Sequence, residues 1–312
     1  NCVAELRRAK DTAEFFEGLP ALEQQLWVDD ALRRLQVPSP EDNVPYICLL
    51  DSGINRGHAM LAPVLHQQDM HTVNDAWGVN DTANHGTGLA GVAIYGDMID
   101  ALSSTDAIEV GHRLESVKLT PNYGANVGDA KQHAYLFSSA VTRPEILNGQ
   151  RKRIFSSAVT ATAYRDFGRP SAWSSMVDSL AVDALAETPF PRLFVLSAGN
   201  IVDRDHWGNY PASLSVNQIH DPGQSWNALT VGAFTDKVEL NEPEFIPVAD
   251  QGALSPFTTT SMGWEPVWPF KPDVVFEGGN AAANTEFVDN FASLELLTTS
   301  ASSHRQFWTT NA

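Results

Sequence analysis

Three short stretches restrict this chain more than the rest of it does. Tyr46-Ile47-Cys48-Leu49-Leu50 is an apolar run of strand length that ends in Asp51-Ser52-Gly53, and Leu193-Phe194-Val195-Leu196 is another, ending in Ser197-Ala198-Gly199-Asn200. Between them Asn84-His85-Gly86-Thr87-Gly88-Leu89-Ala90-Gly91 sets a histidine at the start of a small-residue helix that can pack closely on a neighbour. Near-continuous apolar runs of this length read as parallel strands buried on both faces. A polar residue at the carboxyl end of such a strand is carried to the mouth of the sheet, where sites of open α/β sheets form. The alternation of such strands with helical segments predicts an α/β fold, a doubly wound, mostly parallel sheet with helices on both faces, preceded by a short N-terminal helical extension.

Asp51-Ser52-Gly53, His85-Gly86-Thr87 with Ala90-Gly91, and Ser197-Ala198-Gly199-Asn200 together resemble the Asp, His and oxyanion-Asn motifs of the subtilisin-like serine peptidases, the subtilases. Each motif alone is weak: Asp-Ser-Gly is more often a turn and His-Gly a helix cap. Their order, with Asp51 and His85 34 residues apart, carries the resemblance, since Asp, His, Ser is the order in which the subtilisin triad follows along the chain. The resemblance runs from about Val44 to the end. It implies that His85 is the general base, that Asp51 fixes its tautomer, and that the Asn200 amide donates to an oxyanion. The plainer reading of Asn200 is a turn residue after Gly199.

Taken in order, residues 1–40 read as an N-terminal helical segment, with amphipathic helices over Ala4 to Glu17 and Ala21 to Leu35 broken at Gly18-Leu19-Pro20. They are either packed on the outside of the following domain or the tail of an upstream one. Pro38 to Asn43 is a polar linker, and residues 44–312 form the peptidase-like domain. His112 to Thr120 alternates polar and apolar and leads through Pro121-Asn122-Tyr123 to Gly124. The resemblance makes this segment, with Gly124, a candidate for the open edge that pairs with an extended substrate. Helices are expected over Asp129 to Ala140 and Ser171 to Glu187, the latter capped by Ser171. Arg153 to Thr160 is the next strand. Where subtilases carry Ser-Leu-Gly along the specificity pocket, this chain has Ala158-Val159-Thr160, which leaves the shape of that pocket open. Asn227 to Phe234 and Lys271 to Val275 resemble later strands of the family.

The chain shows no convincing nucleophile. The family serine opens a long, buried helix of small residues. Thr260-Ser261-Met262 is followed by Gly263, Pro266 and Pro269, which do not sustain a helix, and it precedes Lys271-Pro272-Asp273, so Ser261 is rejected. Ser300 is the weaker remaining candidate, with no glycine before it and a short polar remainder after it. The expectation is therefore that the serine lies beyond Ala312 and that this stretch alone is inactive. The alternative is a subtilase-fold binding or regulatory module that has lost catalysis.

Composition adds exclusions. Lys+Arg 20 against Asp+Glu 38 gives a net charge of −18, which disfavours nucleic acid and anionic membranes as partners and leaves peptide or protein as the expected substrate. An upstream domain and a following C-terminal segment are the other expected partners. His58, His66 and His71 lack metal-ligand spacing. No cofactor is expected; the resemblance allows calcium, but no loop has ligand spacing for it. Two cysteines, Cys2 and Cys48, and no leader-like apolar run favour the cytoplasm as an expectation and leave localisation open.

Overall fold

The computed structural model describes residues 12–122, 132–162, 166–186 and 191–311. The expected start of the first helix at Ala4, and Gly124, lie outside the described residues. The centre is an eight-stranded sheet built from β1 (Tyr46–Asp51), β2 (Leu65–Thr72), β3 (Arg113–Lys118), β4 (Arg153–Ser157), β5 (Leu193–Ser197), β6 (Leu229–Thr235), β7 (Ala253–Leu254) and β8 (Val274–Glu277). Its order is β7-β6-β5-β4-β1-β3-β2, with β8 also pairing with β6. All pairings are parallel except the short β7 on β6. This is the mostly parallel, helix-covered sheet that the apolar runs imply.

Successive side chains on each strand serve opposite faces. On one face Cys48, Leu50, Val117, Phe155 and Phe194 pack against Phe137, Val141, Trp173 and Val177 of two helices, α5 (His133–Leu147) and α6 (Ala172–Ala181). On the other, Leu49, Leu65, Met70 and Leu114 pack against Ala90 of α3 (His85–Tyr95). The α6 helix is capped at Ser171, whose hydroxyl accepts the Ser174 N–H, but it ends at Ala181 rather than near Glu187. Its Leu180 carbonyl is taken by the Arg192 guanidinium, and Asp183 turns to φ +48°.

The N-terminal segment contributes α1 (Ala13–Gly18) and α2 (Ala21–Arg34). Phe16, Val28 and Ala31 share a core with Met98 and Leu102 of α4 (Met98–Ser103) and with Leu297 and Phe307 of a hairpin, β9 (Leu296–Thr299) and β10 (Phe307–Thr310). The helices thus lie against the hairpin and α4.

The expected substrate edge at His112–Thr120 needs correcting. Strand β3 pairs with β1 on one side and β2 on the other, so it is internal and offers no open edge. Its polar residues are buried as well: Glu115 accepts from Arg151 and Arg153, and Lys118 donates to the Asn80 carbonyl.

Candidate active site

Asp51 ends β1 and is 2% exposed. Its Oδ1 accepts the Ser52 N–H at 2.7 Å and lies 2.7 Å from His85 Nδ1. His85 is the first residue of α3, and its side chain is 48% exposed, so the ring shows one edge to Asp51 and the rest to an open cleft. Asn84, at φ +66°, turns the chain into this helix, and its Oδ1 accepts the Ala301 N–H. Gly86 permits the close approach of helix and strand: a Cβ there would lie 2.1 Å from the Gly53 carbonyl oxygen. Burial works to lower the His85 pKa; the Asp51 charge, its hydrogen bond and the Asp81 charge outweigh it, leaving the pKa above the ordinary 6.5.

Asn200 follows β5 and lines the same cleft as His85. Gly199 before it has φ +104°, and a Cβ there would meet the His220 ring at 2.3 Å, so only glycine fits. The Thr259 hydroxyl donates to the Ala198 carbonyl, and the Ile201 N–H bonds to the Phe257 carbonyl, which fixes the turn on both sides of Asn200.

The remaining foreseen residues divide. Ala158 lines the cleft, Val159 packs against the main core, and Thr160 is buried with its hydroxyl 3.4 Å from His220 Nδ1. Ser300 is 4% exposed and its Oγ accepts the Ser302 N–H, while Ser261 Oγ accepts the Lys271 N–H. Among the described residues neither is hydrogen-bonded to His85. Ser156, Ser157 and Ser197 line the cleft, but Ser157 donates to the Leu50 carbonyl and Ser197 accepts the Gly199 N–H. His58 holds the hairpin through the Gln306 carbonyl at 2.8 Å and accepts the Met60 N–H, and burial lowers its pKa. Among the described residues no group of three or more His, Cys, Asp or Glu side chains is placed to hold a metal ion.

The cleft itself measures about 350 Å³ and is walled by Leu89, Val92, Val195, Val231, Phe276 and Leu296. Phe276 is 65% exposed there. Two residues of this region escaped the sequence reading. Phe276 sits just past the strand expected at Lys271 to Val275. Asp81 stands in a polar loop with nothing in the sequence to mark it off from Asp75.

The model of the subtilase family matches residues 42–311. The chain belongs to the subtilase family. Its fold agrees with that of solved subtilase-type proteases. The S41 psychrophilic protease superposes with a TM-score of 0.51 at 19% identity, over 86% of this chain and 71% of that one. A mutant of the epidermin leader peptide processing serine protease from Staphylococcus aureus gives 0.50 at 13% identity, over 98% and 68%. At such identities the likeness shows the fold alone. No curated protein is similar enough in sequence to count as a match. As a subtilase the chain is of serine-protease type, and peptides or proteins are the substrates such a family implies.

Proposed function

We propose that this chain is the Asp-His-Asn part of a subtilisin-like serine endopeptidase, and that the attacking serine enters the cleft on a segment outside residues 12–311. The observation that carries the reading is the 2.7 Å contact of Asp51 with His85 Nδ1, made at the rim of the same cleft that Asn200 lines. A carboxylate on Nδ1 holds the tautomer whose Nε2 is free to accept a proton. The serine oxygen would attack the peptide carbonyl as His85 Nε2 takes its proton. The Asn200 amide would donate to the oxygen that becomes negative. Breaking of the C–N bond then sends that proton from His85 to the leaving amine, and water repeats the sequence on the acyl-enzyme.

The cleft supports the location of the missing group. Parallel sheets are covered on both faces. Here Val195, Val231 and Phe276 from β5, β6 and β8 wall an open cleft beside α3, and an apolar face of this kind suits a buried helix of small residues. Without it the acid–base pair has no nucleophile, and the 312-residue chain is inactive. The test is labelling with an active-site serine phosphonate. A chain carrying the following segment should react once per molecule and the 312-residue chain should not. Labelling of the shorter chain at Ser300 or Ser261 would overturn the assignment of the nucleophile. A longer chain that binds peptide without ever being labelled would instead favour the binding module.

A further inference from the structure

Asp81 lies in the loop ahead of α3 and is 8% exposed. Its two carboxylate oxygens take four donors. Oδ1 accepts the Ser52 hydroxyl at 2.9 Å and the Ala83 N–H at 2.8 Å; Oδ2 accepts the Thr87 N–H at 2.8 Å and the Thr87 hydroxyl at 2.7 Å. Ser52 follows Asp51 directly, and its hydroxyl in turn accepts the Gly86 N–H at 2.9 Å. Thr87 is fully buried, and its hydroxyl also accepts the Asn55 N–H at 3.0 Å. One carboxylate therefore grips the end of the strand that carries Asp51 and the first turn of the helix that carries His85. Those two residues are 34 apart in sequence and meet only through this packing.

We infer that Asp81 is a positioning residue for the acid–base pair, setting the distance between Asp51 and His85 through Ser52 and Thr87. The inference deepens the proposed function and rests on the role given there to the pair. An ionised carboxylate suits the task because it accepts on every side at once. The donors around it are a hydroxyl on each element and backbone N–H groups that an amide in its place would partly oppose. The arrangement is also electrostatic. The charged groups around His85 are Asp51 from β1, Asp81 from the loop, Glu277 across the cleft on β8 and, beyond Asp81, Lys118 of β3, whose amine is held by the Asn80 carbonyl and Asn122. Asp81 adds to Asp51 in favouring the imidazolium that forms when His85 takes a proton.

The test needs no peptidase activity, so it stands or falls separately from the assignment of the nucleophile. It is NMR of the His85 ring in the 312-residue chain: the titration midpoint, and the position and exchange rate of the Nδ1 proton facing Asp51. In Asp81→Asn the midpoint should fall and the Nδ1 proton should shift and exchange faster. Ser52→Ala leaves every charge in place but cuts the link from Asp81 to Gly86, so a shifted, faster-exchanging Nδ1 proton there reports geometry alone. Thr298→Val, a lesion in the hairpin that removes its hydrogen bond to the Gly88 carbonyl of the same helix, should lower the melting temperature and leave the Nδ1 proton where it was. If Asp81→Asn does not fold, Ser52→Ala against Thr298→Val decides. An unchanged Nδ1 proton in folded Ser52→Ala, or an equal change in Thr298→Val, overturns the inference.

Discussion

Thr298 and Gly88 are joined across 210 residues of chain: the Thr298 hydroxyl donates to the Gly88 carbonyl at 2.5 Å. Thr299 repeats the contact one residue on, donating to the Thr87 carbonyl at 2.7 Å. The hairpin thus seats on the helix that begins with His85, and Gly91 is what lets it come so close. A Cβ at position 91 would lie 2.3 Å from Thr298 Oγ1 and 2.8 Å from the Thr299 backbone nitrogen.

Two effects oppose each other in Gly91→Ala. Helix propensity favours alanine by roughly 0.5–1 kcal/mol. The collision falls partly on backbone that does not rotate away, and overpacking of that kind costs about 1–3 kcal/mol. The collision wins. Urea unfolding should show a lower midpoint for Gly91→Ala, and a rise would mean that the hairpin shifts freely on α3.

Gln24 offers a second test of how the ends of the chain are tied. It is fully buried; its amide nitrogen lies within 3.1 Å of the Phe16, Glu17 and Leu19 carbonyls, and its Oε1 accepts the Gln306 N–H at 2.8 Å. Gln24→Leu keeps the bulk and strands those partners. The cost should be about 1–3 kcal/mol, the usual range for unpaired buried polar groups. It should appear as a lower denaturant midpoint at unchanged slope.

The parallel sheet and the Asp51, His85 and Asn200 positions were legible because each rests on a local pattern: an apolar run, a polar terminus, a glycine. Strand β3 misled for a physical reason. Arg113, Glu115 and Lys118 are interspersed with Leu114, Val117 and Leu119, as the polar residues of a half-wet edge strand would be, yet all three are buried. The Pro38 and Pro63 carbonyls hold Arg113 by its two terminal nitrogens, Arg151 and Arg153 hold Glu115, and the Asn80 carbonyl holds Lys118. Those partners come from distant parts of the chain and leave no period in the sequence. Asp81 escaped in the same way: among polar loop residues a carboxylate looks solvated until its partners are placed.

His85 should make stability depend on pH with a definite sign. Its folded pKa lies above the ordinary 6.5, so its protonated form is the one the fold favours. The contribution is complete below about pH 6.5 and is lost as pH rises through the folded pKa. The melting-temperature advantage of the wild type over His85→Gln should therefore be larger at pH 5.5 than at pH 8.5. An advantage that grows with pH would mean that Asp51 does not hold the imidazolium.

Asn200 separates an oxyanion donor from a turn residue, and the distinction needs a chain that carries the nucleophile. A donor that meets the oxygen only after it becomes negative stabilises the transition state and not the bound substrate, so its loss falls on kcat rather than KM. Removing one such donor costs about 10²–10³ in kcat, a magnitude known from subtilisin. A turn residue behaves otherwise. The turn here is held by Gly199, by the Thr259 hydroxyl on the Ala198 carbonyl and by the Ile201 N–H on the Phe257 carbonyl, none of which uses the Asn200 side chain. Asn200→Ala should accordingly leave the melting temperature nearly unchanged while kcat falls steeply. A melting temperature lowered by several degrees with kcat within a few-fold of wild type would return Asn200 to the turn and leave the oxyanion to another donor.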